Sequence, residues 1–361
     1  MRSAVGPSAV WSAPLWMAVA LHAALAFHAP PADGEAAERE LTGRTMGTAY
    51  HVKCLLGGSA GADAQSRAAF EASLAARVED CLEEINAKMS AFRKDSELSR
   101  FNAWPRTTPF AVSTETLEVF LMARRVSELS GGAFDITVGP IVNAYGFGAG
   151  EKIPHFPTEE ETRALRERVG YWMIEADPVR ATISKGRPDI CCDLAAIAKG
   201  YGVDKVAEVL EKNGVRDYMV EIGGEARTKG RNAQGQIWRI GIERPADYAR
   251  AVERVVALRD CSMATSGDYR NFYMVNGARI CHEIDPRTGR PIQHNLASAS
   301  VIHEKCAMAD AFATAIMVLG PGEGAAFAER QGLAVLLIVR NPDGTLTEKP
   351  SALFKMLEER P

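Results

Sequence analysis

The stretch Asp193-Leu-Ala-Ala-Ile-Ala-Lys-Gly-Tyr-Gly202 constrains what this chain can build more than any other. It follows a segment that reads as a strand, Asp189 to Cys192, and opens a helix that runs to about Gly214. Asp193 suits the cap of that helix, because its carboxylate can accept a hydrogen bond from an early helical N–H. Gly200 and Gly202 flank Tyr201 inside it, and each glycine costs about 1 kcal/mol relative to alanine in a helix interior. A helix that carries them needs a close approach, either of a ligand or of another backbone. A helix N-terminus also suits phosphate, through its free N–H groups and its dipole. Two readings therefore stand: a phosphate-bearing ligand at the helix start, or an ordinary capped helix with small residues for packing.

The remaining sequence sets the frame around this helix. With 361 residues, 47% of them hydrophobic and 24% charged, the chain is globular and long enough for one large domain or two ordinary ones. A formal charge of -4 and no basic stripe argue against a nucleic-acid binder. The seven cysteines form no Cys-x-x-Cys pair and no Cys/His zinc pattern, and they read as buried apolar thiols. Residues 1–29, with Arg2, the apolar run Leu15 to Phe27 and the small-x-small triplet Ala24-Leu25-Ala26, read as a secretory signal peptide. No cysteine follows that run closely, so a lipid anchor is not expected, and the chain is expected to be exported to the periplasm or cell envelope. Residues 30–41 read as a linker, 42–350 as the catalytic unit and 351–361 as a tail.

Periodicity predicts a strand from Thr45 to Leu56 and an amphipathic helix from Phe70 to Met89, with Leu74, Val78, Cys81, Leu82 and Ile85 on one stripe. Ser113 caps a helix that runs to Leu129, Thr158 to Val169 is a charged helix, and Trp172 to Ile183 contains a hairpin. A strand from Asp217 ends at Gly223-Gly224, and a hairpin from Asn271 to His282 turns at Asn276-Gly277. Helices follow at Ala307 to Leu319 and Glu323 to Gln331, then a last strand at Ala334 to Val339. Hairpins mixed with single helices, and no linker from residue 45 to 350, predict an α+β fold: mixed or antiparallel sheets flanked by helices in a single interlocked unit.

Several residues could carry chemistry. Asp310 and Thr314 lie one helical turn apart on one face of an otherwise apolar helix. That carboxylate either helps bind a hard cation such as Mg²⁺, together with the hydroxyl, or interacts with the helix dipole. His282 is a candidate general base or a hydrogen-bonded strand histidine. Cys281 beside it points to the opposite face of the strand, so the two do not form a nucleophile pair. Phe92, Phe134 and Tyr145 can stack on a flat heterocycle or simply pack, whereas Glu243, Arg244 and Arg254 read as solvated charges.

An ordered set of segments resembles the ApbE family of FAD:protein FMN transferases. They are Thr45-Met-Gly-Thr-Ala-Tyr50, Met89 to Asn102, Gly131-Gly-Ala-Phe-Asp-Ile-Thr-Val-Gly-Pro140 with Tyr145-Gly-Phe-Gly148, Asp193 to Tyr201, Ile222-Gly-Gly224, His282 to Pro291 and Ala309-Asp-Ala-Phe-Ala-Thr314. The resemblance implies an ApbE-like fold and an exported, magnesium-dependent enzyme that cleaves FAD, links FMN to a Thr or Ser hydroxyl of a partner protein and releases AMP. By matching position it implies that Met46, Phe92, Ala133, Phe134, Asp135, Asp193, Lys199 and Ile284 contact FAD. The Ala196 carbonyl, Asp310 and Thr314 would hold Mg²⁺, and His282 would deprotonate the acceptor. The implied acceptor is a flavoprotein with an Asp-x-x-Ser-Gly-Ala-Thr-like motif, in a membrane redox complex or exported; no such motif occurs in this chain. Phe92 departs from the family's frequent Tyr, and Glu221 and Tyr145 are local departures. Hydrolysis of FAD to FMN and AMP, and non-catalytic FAD binding, are the rival readings.

Overall fold

The computed structural model describes residues 37–57, 63–149, 156–246, 251–275 and 278–358. The expected signal peptide and the Asn276-Gly277 turn lie outside the described residues. A hairpin of β1 (Ala37–Thr45) and β2 (Thr48–Leu56) opens the fold, turning at Met46 and Gly47. Both turn residues have positive φ, 49° and 75°, as a tight two-residue hairpin turn requires. The sequence predicts only the second of these strands and assigns residues up to 41 to a linker. An edge strand such as β1, with Leu41 as its one large apolar residue, carries little hydrophobic signal.

Asp63 caps α1 (Ala64–Met89), which buries Leu74, Val78, Leu82, Ile85 and Met89. α2 (Glu97–Asn102), β3 (Phe110–Ala111) and α3 (Thr114–Ser130) follow, the last capped by Ser113 and ended by Gly131 at φ 62°. α4 (Gly139–Ala144) and α5 (Glu159–Arg166), the latter with a full Thr158/Glu161 capping box, precede β4 (Ile174–Asp177) and β5 (Thr182–Lys185). α6 (Ala195–Lys212) is the helix expected from the Asp193 stretch. Next come β6 (Tyr218–Ile222), β7 (Glu225–Lys229), β8 (Trp238–Glu243), β9 (Val252–Leu258) and β10 (Ser262–Gly267). β11 (Phe272–Val275) and β12 (Ala278–Cys281) form the predicted hairpin, followed by β13 (Ile284–Asp285), β14 (Arg290–Pro291) and β15 (Leu296–His303). α7 (Cys306–Gln331), β16 (Ala334–Arg340), β17 (Leu346–Pro350) and α8 (Ala352–Glu358) complete the order.

The main sheet has eight strands in the order β1-β2-β6-β7-β10-β15-β16-β17. Its ladders are antiparallel, and the β7–β10 join is short, matching Ser262 to Arg227 and Met263 to Ala226. One face packs on helices: α1 and α6 under β2 and β6, α7 under β10, β15 and β16, with α3 packed on α7 and α6. On the other face Met263, Ile302, Ala334, Leu336 and Ile338 meet Ile242, Val256 and Leu258 of the β8–β9 hairpin and Phe354 of α8. β15 is buried on both faces, which explains its unbroken apolar and small-residue run. The arrangement is α+β, as predicted.

Several expectations need correction. Asp189 to Cys192 forms no strand. The Asn102 side chain brackets Cys192, accepting from its N–H and donating to its C=O at 2.8 Å each, so those groups have no strand partner. β16 is not the last strand, and the expected tail includes α8, whose Phe354 is fully buried. Arg254 is not a solvated charge: it pairs with Glu348 of β17 and Glu358 of α8. Glu243 likewise pairs with Arg270. The two helices expected after Ala307 join end to end at Gly320 (φ 77°, ψ -178°), with Pro321 opening the second segment. α7 is long and apolar enough to span a membrane, yet it lies against the main sheet as the core helix.

Candidate active site

The two glycines that mark α6 both serve packing. A Cβ on Gly200 would lie 2.4 Å from the Cys306 carbonyl oxygen, so α6 and α7 approach backbone to backbone there. A Cβ on Gly202 would meet the Met46 methyl at 2.8 Å and Ile222 at 3.2 Å. Met46 thus enters the region from the β1–β2 turn, in a backbone conformation uncommon for a side chain of its size. Asp204, also on α6, accepts from the N–H groups of Cys306 and Ala307 at 3.0 Å each and pairs with Arg227 at 2.6 Å. It caps the start of α7 from a neighbouring helix.

The α6–α7 contact buries a charged cluster. Asp310 is 2% exposed and accepts from the Gly200 N–H at 3.1 Å. Lys199 Nζ lies 3.6 Å from Asp310 Oδ2 and 3.2 Å from Glu225 Oε1, and it donates to the Ala195 carbonyl at 3.3 Å. Asp310 therefore has a cationic partner in Lys199, as a buried carboxylate requires. Burial lowers the Lys199 ammonium, but Asp310 and Glu225 outweigh it, so its pKa is raised. Burial raises both Asp310 and Glu225, against the pull of Lys199. Glu225 Oε2 is buried without a hydrogen-bond partner. Thr314 exchanges a hydrogen bond with Ser266 of β10 at 3.1 Å.

His282 follows β12. Its ring Nδ1 lies 3.3 Å from the Asn271 carbonyl, which also accepts the His282 backbone N–H at 3.0 Å. A carbonyl only accepts, so Nδ1 carries the proton and the lone pair falls on Nε2. Burial pushes the ring pKa down to about 4, leaving it neutral at ordinary pH. Glu283 Oε1 lies 3.8 Å from Nε2, and burial pushes that carboxyl up to about 8. Cys281 is buried, with Sγ toward the Glu283 carbonyl, consistent with its place on the opposite face.

The other expected site residues are placed differently. Asp193 does not occupy the cap position of α6, which falls to Leu194, although its carboxylate accepts from the Ala195 N–H at 2.8 Å. Its own N–H is tied to the Ile136 carbonyl at 2.7 Å, which displaces the helix start by one residue. Ala133 and Phe134 lie in the main core, and Ile284 packs with Ile141, Tyr145 and Val169. Asp135 is buried and accepts from Thr137 N and Oγ1 and from Tyr171 N. Phe92 is 65% exposed in the turn after α1. Residue-by-residue reading missed Glu225, Glu283 and Asp204. Glu225 directly follows Gly223-Gly224 and Glu283 directly follows His282, so both lay one residue beyond a feature already singled out.

Known proteins resemble this chain in both sequence and fold. The family model described as "ApbE family" matches residues 46–337. A FAD:protein FMN transferase of Haemophilus influenzae is 45% identical, over 89% of this chain and 92% of that protein. The solved structure of the flavin transferase ApbE from Vibrio cholerae has a TM-score of 0.79 at 43% identity, covering 89% of this chain and 99% of that one. That of the Pseudomonas stutzeri flavinyl transferase ApbE, apo form, has a TM-score of 0.78 at 33% identity, covering 90% and 98%. Fold and sequence together define an enzyme of the flavin-transferase class. The chain belongs to the ApbE family.

Proposed function

We propose that this enzyme cleaves the pyrophosphate of FAD with the aid of Mg²⁺, joins FMN through a phosphoester to a Thr or Ser hydroxyl of an acceptor protein, and releases AMP. The carrying observation is the juxtaposition of buried Asp310, Lys199 and Glu225 across the α6–α7 contact. Among the described residues no group of three or more His, Cys, Asp or Glu side chains is arranged to hold a metal. A cation here needs backbone, hydroxyl and substrate oxygens, as magnesium ordinarily takes. Asp310, the Thr314 hydroxyl and the Ala196 carbonyl offer such a set. The Gly200 N–H, the ordinary helical partner of that carbonyl, donates to Asp310. The partnerless Glu225 oxygen lies in the same buried cluster, beside Lys199.

When bound, Mg²⁺ supplies charge neutralisation at the pyrophosphate. Lys199, held in place by Glu225 and Asp310, would supply positive charge to the same phosphates. His282 takes the proton of the acceptor hydroxyl at Nε2, since an alcohol is a weak nucleophile without an adjacent base. Met46, which packs against Gly202 of α6, and Asp193, just before the α6 start, are proposed FAD contacts, with Phe92, Ala133, Phe134, Asp135 and Ile284 as further ones. The acceptor carries an Asp-x-x-Ser-Gly-Ala-Thr-like motif, and the apolar run before residue 30 supports export.

The test incubates the protein with FAD, Mg²⁺ and an acceptor peptide. Covalent flavin on the peptide and AMP are expected in equal yield, both abolished by EDTA. Free FMN beside unmodified peptide would instead mark hydrolysis, and intact FAD would mark binding alone.

A further inference from the structure

We propose that Glu283 is a positioning residue for the His282 base, its carboxylate standing beside Nε2 as the counter-charge to the imidazolium formed when the acceptor hydroxyl loses its proton. This rests on the reading of His282 as the base. The Asn271 carbonyl holds the proton on Nδ1 and leaves the lone pair on Nε2, the nitrogen that has Glu283 Oε1 3.8 Å away. The Glu283 backbone is anchored: its carbonyl accepts from the Ile292 N–H at 3.0 Å, and Ile284 pairs with Pro291 in the β13–β14 ladder. Only its side chain is left to choose an orientation, and that side chain is 7% exposed. A base oriented by one group and balanced by another is how weak hydroxyl nucleophiles are activated.

The charged groups that face Glu283 are Lys199 from α6, Asp268 after β10 and Asp310 from α7, besides His282 itself. Lys199 already has Asp310 and Glu225, and Asp268 is held by both Arg340 nitrogens at 2.6 and 2.7 Å. His282 is the partner that gains a charge during the reaction. In that step the acceptor O–H bond breaks and an Nε2–H bond forms. The acceptor oxygen bonds to the FMN phosphorus as the bond from that phosphorus to the AMP oxygen breaks, and AMP leaves with the electron pair. The proton then passes from Nε2 to solvent. With its carboxyl pushed up to about 8, Glu283 is neutral below that pH and charged above it. His282 therefore becomes the stronger base, and transfer faster, as pH rises through about 8.

The experiment measures kcat and KM for transfer across this pH range in the wild type, Glu283→Gln, Glu283→Asp and His282→Ala, and follows the His282 ring carbon by NMR against pH. Above pH 8, where Glu283 is charged, Glu283→Gln is expected to lower kcat about tenfold, a fraction of what a general base contributes, with KM for FAD changed by less than about twofold. It should also remove the rise of kcat through pH 8, with Glu283→Asp restoring part of it. The wild-type His282 signal should show a second step near pH 8 that Glu283→Gln lacks. An unchanged pH profile in Glu283→Gln, with transfer lost in His282→Ala, overturns the role of Glu283 alone. Transfer retained in His282→Ala overturns the base and this inference together. Should Glu283→Gln fail to fold, the absence of a second step in the wild-type titration is itself enough to reject the proposal.

Discussion

Asp204 does for α7 what the sequence leads one to expect of Asp193 at α6. Its carboxylate accepts from the first two N–H groups of α7 while holding Arg227. The position looked like ordinary helix in the sequence, because the helix it caps starts about a hundred residues later and meets it only in the fold. Removing the carboxylate leaves two buried N–H groups and a half-buried guanidinium without their acceptor. Asp204→Ala is therefore expected to destabilise the protein by about 3 kcal/mol, read from the urea midpoint. Asp310 and Thr314 were legible as a chemical pair, since a carboxylate in an apolar helix stands out. The cationic partner of Asp310 was not, because no local spacing links Lys199 to it.

At the scale of elements, the α6–α7 contact governs the site. Gly200 permits it, with the Cys306 carbonyl oxygen only 2.4 Å from where a Cβ would lie. Gly200→Ala gains about 1 kcal/mol in helix propensity but forces the helices apart, for a net loss of about 2 kcal/mol. The same shift should separate Asp310 from the Gly200 N–H and Lys199, and weaken FAD binding and the proposed Mg²⁺ binding by calorimetry. Gly322, in the second segment of α7, has open space where a Cβ would lie. Gly322→Ala is expected to stabilise by about 0.5 kcal/mol, read from the thermal midpoint. The sequence showed that α6 must approach something closely; whether that was ligand or backbone depended on where α7 lay.

Over the whole molecule, the layers on the two faces of the sheet do different work. The helical layer carries Lys199 and Asp310, while the β8–β9 hairpin and α8 seal the opposite face. The family match ends at residue 337, yet β17 and α8 lie beyond it and bury Phe354 completely. Ending the chain after Pro350 would expose Leu336, Ile338, Ile242 and Val256 and leave Arg254 without Glu358. A loss of at least about 3 kcal/mol is expected from the Phe354 side chain alone. The check is the thermal midpoint and soluble yield of the truncated chain.

Periodicity alone determined most helices and hairpins of this protein, because amphipathic stripes and turn residues are local properties of the chain. It also determined the α+β class and placed Asp310 and Thr314 on one helix face, whereas His282 stood out only through the family resemblance. Edge strand β1 and helix α8 escaped it, the first because an edge carries few apolar residues and the second because one buried Phe354 makes no stripe. Only the tertiary structure decided that Gly200 admits a backbone, that Asp204 caps a distant helix, and that Lys199, Glu225 and Asp310 share one buried cluster. Charges, caps and close approaches between elements far apart in sequence are set by distances in space, and no local pattern encodes those distances.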